Sequence, residues 1–151
     1  MKIKIISTLF LFLLLFASSF AAEVTWYDNM DDAKKVAQEN DAVILVNFSG
    51  SNWCYWCKKL TAEVFEKNEF KNYAKENLVL MVADFPRPNN LPDSVQKQNN
   101  NLAQKYGIRG FPTIILLDSE GTMIGKTGYQ EGGPVNYVNH LKNMINESQD
   151  K

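Results

Sequence analysis

The chain has 151 residues, and its 16 basic and 17 acidic side chains leave a net charge of −1. Mixed along the chain as they are, these charges exclude the basic stripe of a nucleic-acid binder and the polybasic patch of a membrane-surface protein. A chain of this length suffices for one domain with a true core.

Lys2 and Lys4 form a basic start, residues 5–16 are almost wholly apolar, and Ser19-Phe20-Ala21 offers the small residues of a cleavage site. This pattern predicts a secretory signal peptide over residues 1–21, cut after Ala21 or Ala22, and a mature domain over residues 22–151. The apolar run falls short of the roughly 20 residues a spanning helix needs. No cysteine follows the cut, which argues against a lipoprotein. An exported chain, periplasmic or secreted, is expected.

Asp28 is placed to cap a helix running to residue 40, with Met30, Ala33, Val36 and Ala37 on one face. Residues 42–48 form a short apolar run rich in β-branched side chains, a strand of a sheet covered on both faces. After the turn Ser49-Gly50-Ser51-Asn52 a helix begins near Cys54, with Leu60, Val64 and Phe65 inward. A second helical piece, residues 69–75, carries Phe70, Tyr73 and Ala74 at helical spacing. Residues 78–85 make the next strand, and the polar stretch 86–101 reads as a long loop entering a helix over 95–106, stopped by Gly107. Residues 113–117 and 122–128 pair as a hairpin about the turn 118–121. Pro134 opens a last helix whose buried stripe is Val135, Val138, Leu141 and Ile145. Strands alternating with helices, then a hairpin, predict an α/β fold with a mixed sheet between helical layers. The parallel part would aim its strand ends at the Cys54 turn.

That turn holds both cysteines of the chain, in Trp53-Cys54-Tyr55-Trp56-Cys57-Lys58. A sulfur at a helix start is favoured as thiolate, because unpaired N–H groups and the helix dipole face it. A structural staple is the plain alternative, but closing so short a loop contributes only about 2 kcal/mol, against about 4.7 for a hundred-residue loop. A closed zinc site needs four ligands, and the chain offers two cysteines and one histidine, His140, which reads as a solvated or partly packed helix residue. A c-type haem site needs histidine where Lys58 stands. No metal and no cofactor are therefore expected, and redox exchange is the leading reading. In it Cys54, the more exposed sulfur, attacks, and Cys57, a turn inward, resolves the mixed disulfide.

The sequence resembles the thioredoxin superfamily in two separated motifs. One is Trp53-Cys54-x-x-Cys57-Lys58 after a strand; the other is Ile108-Arg109-Gly110-Phe111-Pro112-Thr113, which looks like the family's cis-proline loop. The resemblance implies a three-layer α/β/α sandwich with a mixed central sheet. It also implies a cis Phe111–Pro112 bond against the cysteine pair, leaving the Phe111 backbone free to pair with an extended substrate segment. Two departures matter. Asn47 stands where the family often has a buried aspartate that takes the second cysteine's proton, and an amide is no base near neutral pH; Asp84 is a weak substitute, better read as bonding local backbone. Tyr55-Trp56 replaces Gly-Pro or a histidine-containing pair, so the Cys54 thiolate gains less stabilisation and a reducing couple is expected. Trp53, Tyr55 and Trp56 would form an apolar collar for a partner segment, with Tyr55 the most exposed and Trp53 equally able to pack inward.

The favoured function is thus a protein-disulfide reductase, an enzyme acting as a monomer on disulfide-containing exported proteins and fed by a membrane thiol-reductant donor. A disulfide isomerase, or a thioredoxin-fold binding or assembly factor handling a client or copper, remains the alternative. Metal carriage of that kind would call for an added histidine or methionine ligand near the cysteines.

Overall fold

The computed structural model describes residues 23–150; the expected signal peptide lies outside the described residues. In chain order the elements are β1 (Trp26–Tyr27), α1 (Met30–Asn40), β2 (Val43–Ser49), α2 (Tyr55–Leu60) continuing into a π-helical turn (Thr61–Phe65), and α3 (Asn68–Asn77). Then come β3 (Leu78–Asp84), α4 (Asp93–Lys105), β4 (Thr113–Leu117), β5 (Met123–Thr127) and α5 (Gly133–Gln149).

The five strands lie in the order β1-β3-β2-β4-β5. β2 is central, parallel to β3 and antiparallel to β4; β1 is parallel to β3, and β5 closes the sheet antiparallel to β4. Side chains alternate across a strand, so β2 feeds two cores. Ile44, Val46 and Phe48 meet Val79, Met81, Ala83, Ile115 and Leu117 under Ala33 and Ala37 of α1 and Leu102 of α4. Leu45 meets Leu80, Ile114 and Leu116 under Leu60, Val64, Phe65, Phe70 and Leu141 on the other side. The molecule is the expected three-layer sandwich with a mixed sheet, and the unbroken apolar run of β2 follows from its being covered on both faces.

Local departures have physical reasons. The first helix is capped by Asn29, not Asp28: the Asn29 side-chain Oδ1 accepts from the N–H groups of Asp31 and Asp32 at 2.8 and 3.1 Å. The helix after the cysteines is not uniform. Glu66 N–H donates to Thr61 O at 2.9 Å, an i→i−5 bond that widens the turn. In α5 the buried stripe includes Tyr137, whose hydroxyl donates to Gly128 O at 3.0 Å, while Val135 in the first turn is exposed. The two-residue β1 was not expected at all.

Candidate active site

β2 ends at Ser49, and its neighbour β3 ends in register at Asp84, so the two parallel strands deliver their following turns to one place. The turn after β2 is closed by Trp53 and Cys54 N–H groups donating to Gly50 O at 3.1 and 2.8 Å. Cys54 is the residue capping α2, and its Sγ accepts from Cys57 N–H at 3.2 Å. The two cysteines are joined in a disulfide with Cα atoms 5.3 Å apart, inside the usual range for such bonds. Cys54 is 7% exposed and Cys57 3%, so the first sulfur is the more reachable of a recessed pair.

The turn after β3 is tied to the cysteine turn by a set of hydrogen bonds that no local sequence signal announces. Asp84 accepts from Ser51 N–H at 2.8 Å and from Ser51 Oγ at 2.5 Å. Asn52 clasps Arg87 from both sides, its Nδ2 donating to Arg87 O at 2.9 Å and its Oδ1 accepting from Arg87 N–H at 3.0 Å. Trp53 Nε1 donates to Phe85 O at 2.7 Å. Buried Asn99 of α4 donates to Asp84 O at 3.0 Å and anchors the strand end from behind. Asp84 is therefore occupied with local backbone and hydroxyl partners. The Arg87–Pro88 peptide in this turn is cis, as is Phe111–Pro112.

The expected collar resolves into two aromatic clusters. Trp53 meets Phe111 edge-on at 5.9 Å between centroids, Phe85 stacks on Phe111 at 5.0 Å, and the Arg87 guanidinium lies 3.9 Å over the Trp53 ring. This contact places the Phe111–Pro112 loop beside the cysteine turn. The Phe111 N–H and C=O make no hydrogen bond among the described residues. On the other side Tyr55 packs edge-on against Trp56, and Trp56 against Tyr129 at 5.1 Å. Lys59 Nζ lies 5.2 Å from both the Trp56 and Tyr129 rings. Tyr129 Oη donates to Glu63 Oε2 at 2.6 Å, and that bond holds the phenol above its ordinary pKa. Lys59 is raised in turn, first by the Tyr129 oxygen and then by the Glu63 charge. Tyr55 is the most exposed of the collar residues at 68%, with Trp56 at 47% and Trp53 at 38%.

Asn47 faces away from Phe48, toward α2, and there it lines a cavity of about 630 Å³ together with Cys57, Lys58, Thr61, Phe65 and Glu66. Asn47 is buried, at 7% exposure, and its Oδ1 has no hydrogen-bond partner among the described residues. The sequence placed Asn47 at this position but could not show the cavity, whose wall is the widened π-helical turn. Phe85, Arg87 and Tyr129 also went unread, because each reaches the site from a distant segment, and so did the clasp of Asn52, whose partner Arg87 lies 35 residues away. His140 lies apart from the cysteines, its Nε2 2.9 Å from Thr127 Oγ1.

A model of the thioredoxin-like domain family matches residues 30–142. The chain belongs to this family. It is 30% identical over 125 residues to the disulfide bond reductase DsbH of Chlamydia pneumoniae, covering 83% of this chain and 75% of that protein. A solved structure described as DsbH oxidoreductase superposes with a TM-score of 0.81 at 28% identity, over 88% of this chain and 92% of that one. A thioredoxin of Rickettsia felis is 32% identical over 124 residues, 80% of this chain and 97% of its own length. Family, fold and the Cys54–Cys57 disulfide together identify this thioredoxin-like protein as a thiol–disulfide oxidoreductase. Among the described residues no helix is long and apolar enough to cross a membrane.

Proposed function

We propose that this thioredoxin-like protein works as a reductase of disulfides in exported proteins, with Cys54 attacking and Cys57 resolving. The observation that carries the reading is the surroundings of Cys54. One backbone N–H, that of Cys57, points at its sulfur, and the two residues between the cysteines are aromatic. Without a histidine beside it the thiolate is less stabilised, so the dithiol gives up its electrons more readily. The reductase name of the Chlamydia relative supports the same direction.

In the reaction the Cys54 thiolate attacks a substrate disulfide, forming a mixed disulfide and expelling one substrate thiolate. Cys57 then attacks Cys54 Sγ, releasing the second substrate sulfur; two electrons pass to the substrate and the Cys54–Cys57 disulfide remains. The unpaired backbone of Phe111, beside Pro112, supports strand-like pairing with an extended segment of the client. Trp53, Tyr55, Trp56 and Phe111 offer apolar surface around the attacked bond. The leader pattern of residues 1–21 supports an exported, periplasmic or secreted location. Re-reduction there calls for a membrane thiol donor, and the single domain supports action as a monomer.

Equilibration against a defined thiol couple tests the direction. The expected potential is near the thioredoxin value of about −270 mV; a value above about −180 mV would place the protein with isomerases and oxidants and overturn the reading. In the companion experiment Cys57→Ser accumulates client on Cys54, visible as a mass adduct on a non-reducing gel. Trapping through Cys57 in Cys54→Ser would reverse the two roles.

A further inference from the structure

We propose that Arg87 receives a carboxylate of the client, so that this protein favours disulfides whose cysteine has an acidic neighbour. This deepens the reductase reading and rests on the Cys54–Cys57 pair as the site of exchange.

The two aromatic clusters beside the cysteines carry different charge. On the Trp56 side Lys59 and Glu63 form an ion pair at 3.8 Å, and Tyr129 Oη donates to the same carboxylate, so that side is balanced. On the other side Arg87 is exposed and lies 3.9 Å over the ring of Trp53, the residue before Cys54. Lys59–Glu63 is the one ion pair among the described residues, so no carboxylate there neutralises Arg87. Asp84, the acid on that side, is engaged by the N–H groups of Ser51 and Phe85 and by the Ser51 hydroxyl. Arg109, in the loop that brings Phe111 to Trp53, is a second exposed cation.

Arg87 is held in place before a client arrives. Asn52 fixes its backbone through both N–H and C=O, and the indole beneath it restrains its side chain. An aromatic face stabilises a guanidinium without using its N–H donors, which stay available to the two oxygens of a carboxylate. Lysine would supply the charge but not the flat fork. Trp53 also meets Phe111, whose backbone is the pairing edge for the client. A side chain next to the attacked cysteine therefore comes within reach of Arg87. The partner that fits is an extended segment with Asp or Glu beside its cysteine and apolar side chains toward Tyr55 and Trp56, both exposed.

The test uses disulfide-linked dimers of one short peptide with Glu, Gln or Lys on both sides of its cysteine. The rate at which reduced protein reduces each dimer is divided by the rate for dithiothreitol, an uncharged dithiol, which removes the dimers' own differences in reactivity. The parent is expected to favour the Glu dimer over the Gln dimer by about two- to fivefold, as for an exposed charge pair, with the Lys dimer slowest. In Arg87→Gln the preference should shrink by about the same factor, and Arg87→Lys, which keeps the charge, should lie between. A parent that treats the three dimers alike, or a preference undiminished in Arg87→Gln, would overturn the assignment. So would an equal slowing of all three in that variant, because Arg87 would then serve only to support Trp53. Where Arg87→Gln does not fold, salt decides on the parent itself: the preference should fade as ionic strength rises, and one that persists in concentrated salt is no charge contact. Failure of the reductase reading shows separately, as a potential in the range of isomerases and oxidants, and leaves the rate ratios standing.

Discussion

Gly50 shows how closely the residues at the site are fitted. A Cβ there would be driven into the Trp53 indole, which is itself held by Phe85 O, Phe111 and the Arg87 guanidinium. The glycine is present for space, so Gly50→Ala should displace the ring and destabilise the protein by about 1–3 kcal/mol, the usual cost of overpacking. A double-mutant cycle in denaturant checks the cause: in a Trp53→Ala background the same change should be near neutral. Equal costs in both backgrounds would locate the effect elsewhere. The residues carrying chemistry were legible in the sequence because their meaning is local, a Cys-x-x-Cys turn and a proline loop. Asn47 was legible as a departure, but its unpartnered oxygen was not, since satisfaction of a buried atom depends on what other segments bring to it.

At the scale of elements, α1 depends on its cap. Asn29 satisfies two of the N–H groups left open at the helix start, so Asn29→Ala should cost about 1 kcal/mol. Urea unfolding would show a lowered midpoint at unchanged slope; Asp28→Ala should leave the unfolding free energy within about 0.5 kcal/mol of the parent, as for ordinary surface changes. The sequence favoured Asp28 because both residue types cap well, and only the backbone angles decide between adjacent candidates. Strands β2, β3 and β4 were plain from their apolar runs. β1, with two residues, carries no period to read. The stripe of α5 was read through Val135 and missed Tyr137, because a tyrosine buries fully only when its hydroxyl finds a partner, here a carbonyl across the chain. The π-helical turn leaves no composition signal, yet it shapes the wall of the Cys57 cavity.

For the molecule as a whole, Tyr137 links stability to alkaline pH. Burial raises its phenol pKa well above the ordinary value of about 10. Its contribution is complete below pH 10. Above that, the unfolded chain sheds the proton while the folded one keeps it, so stability falls as pH rises toward the folded pKa. Tyr137→Phe should lose about 1 kcal/mol at neutral pH with the Gly128 bond, and show a shallower decline above pH 10 in denaturation measured across pH. Tyr73, half-buried and also raised by burial, adds a smaller loss of the same sign. A decline as steep in Tyr137→Phe as in the parent would assign the effect elsewhere. One consequence for engineering comes from the bonds joining Ser51, Asn52 and Trp53 to Asp84, Phe85 and Arg87. The portable unit of the cysteine turn is two loops, not one. Grafting residues 49–57 alone onto another scaffold would carry the cysteines but strand the groups that hold their turn in shape, whereas residues 84–87 moved with them would transfer the turn together with its brace.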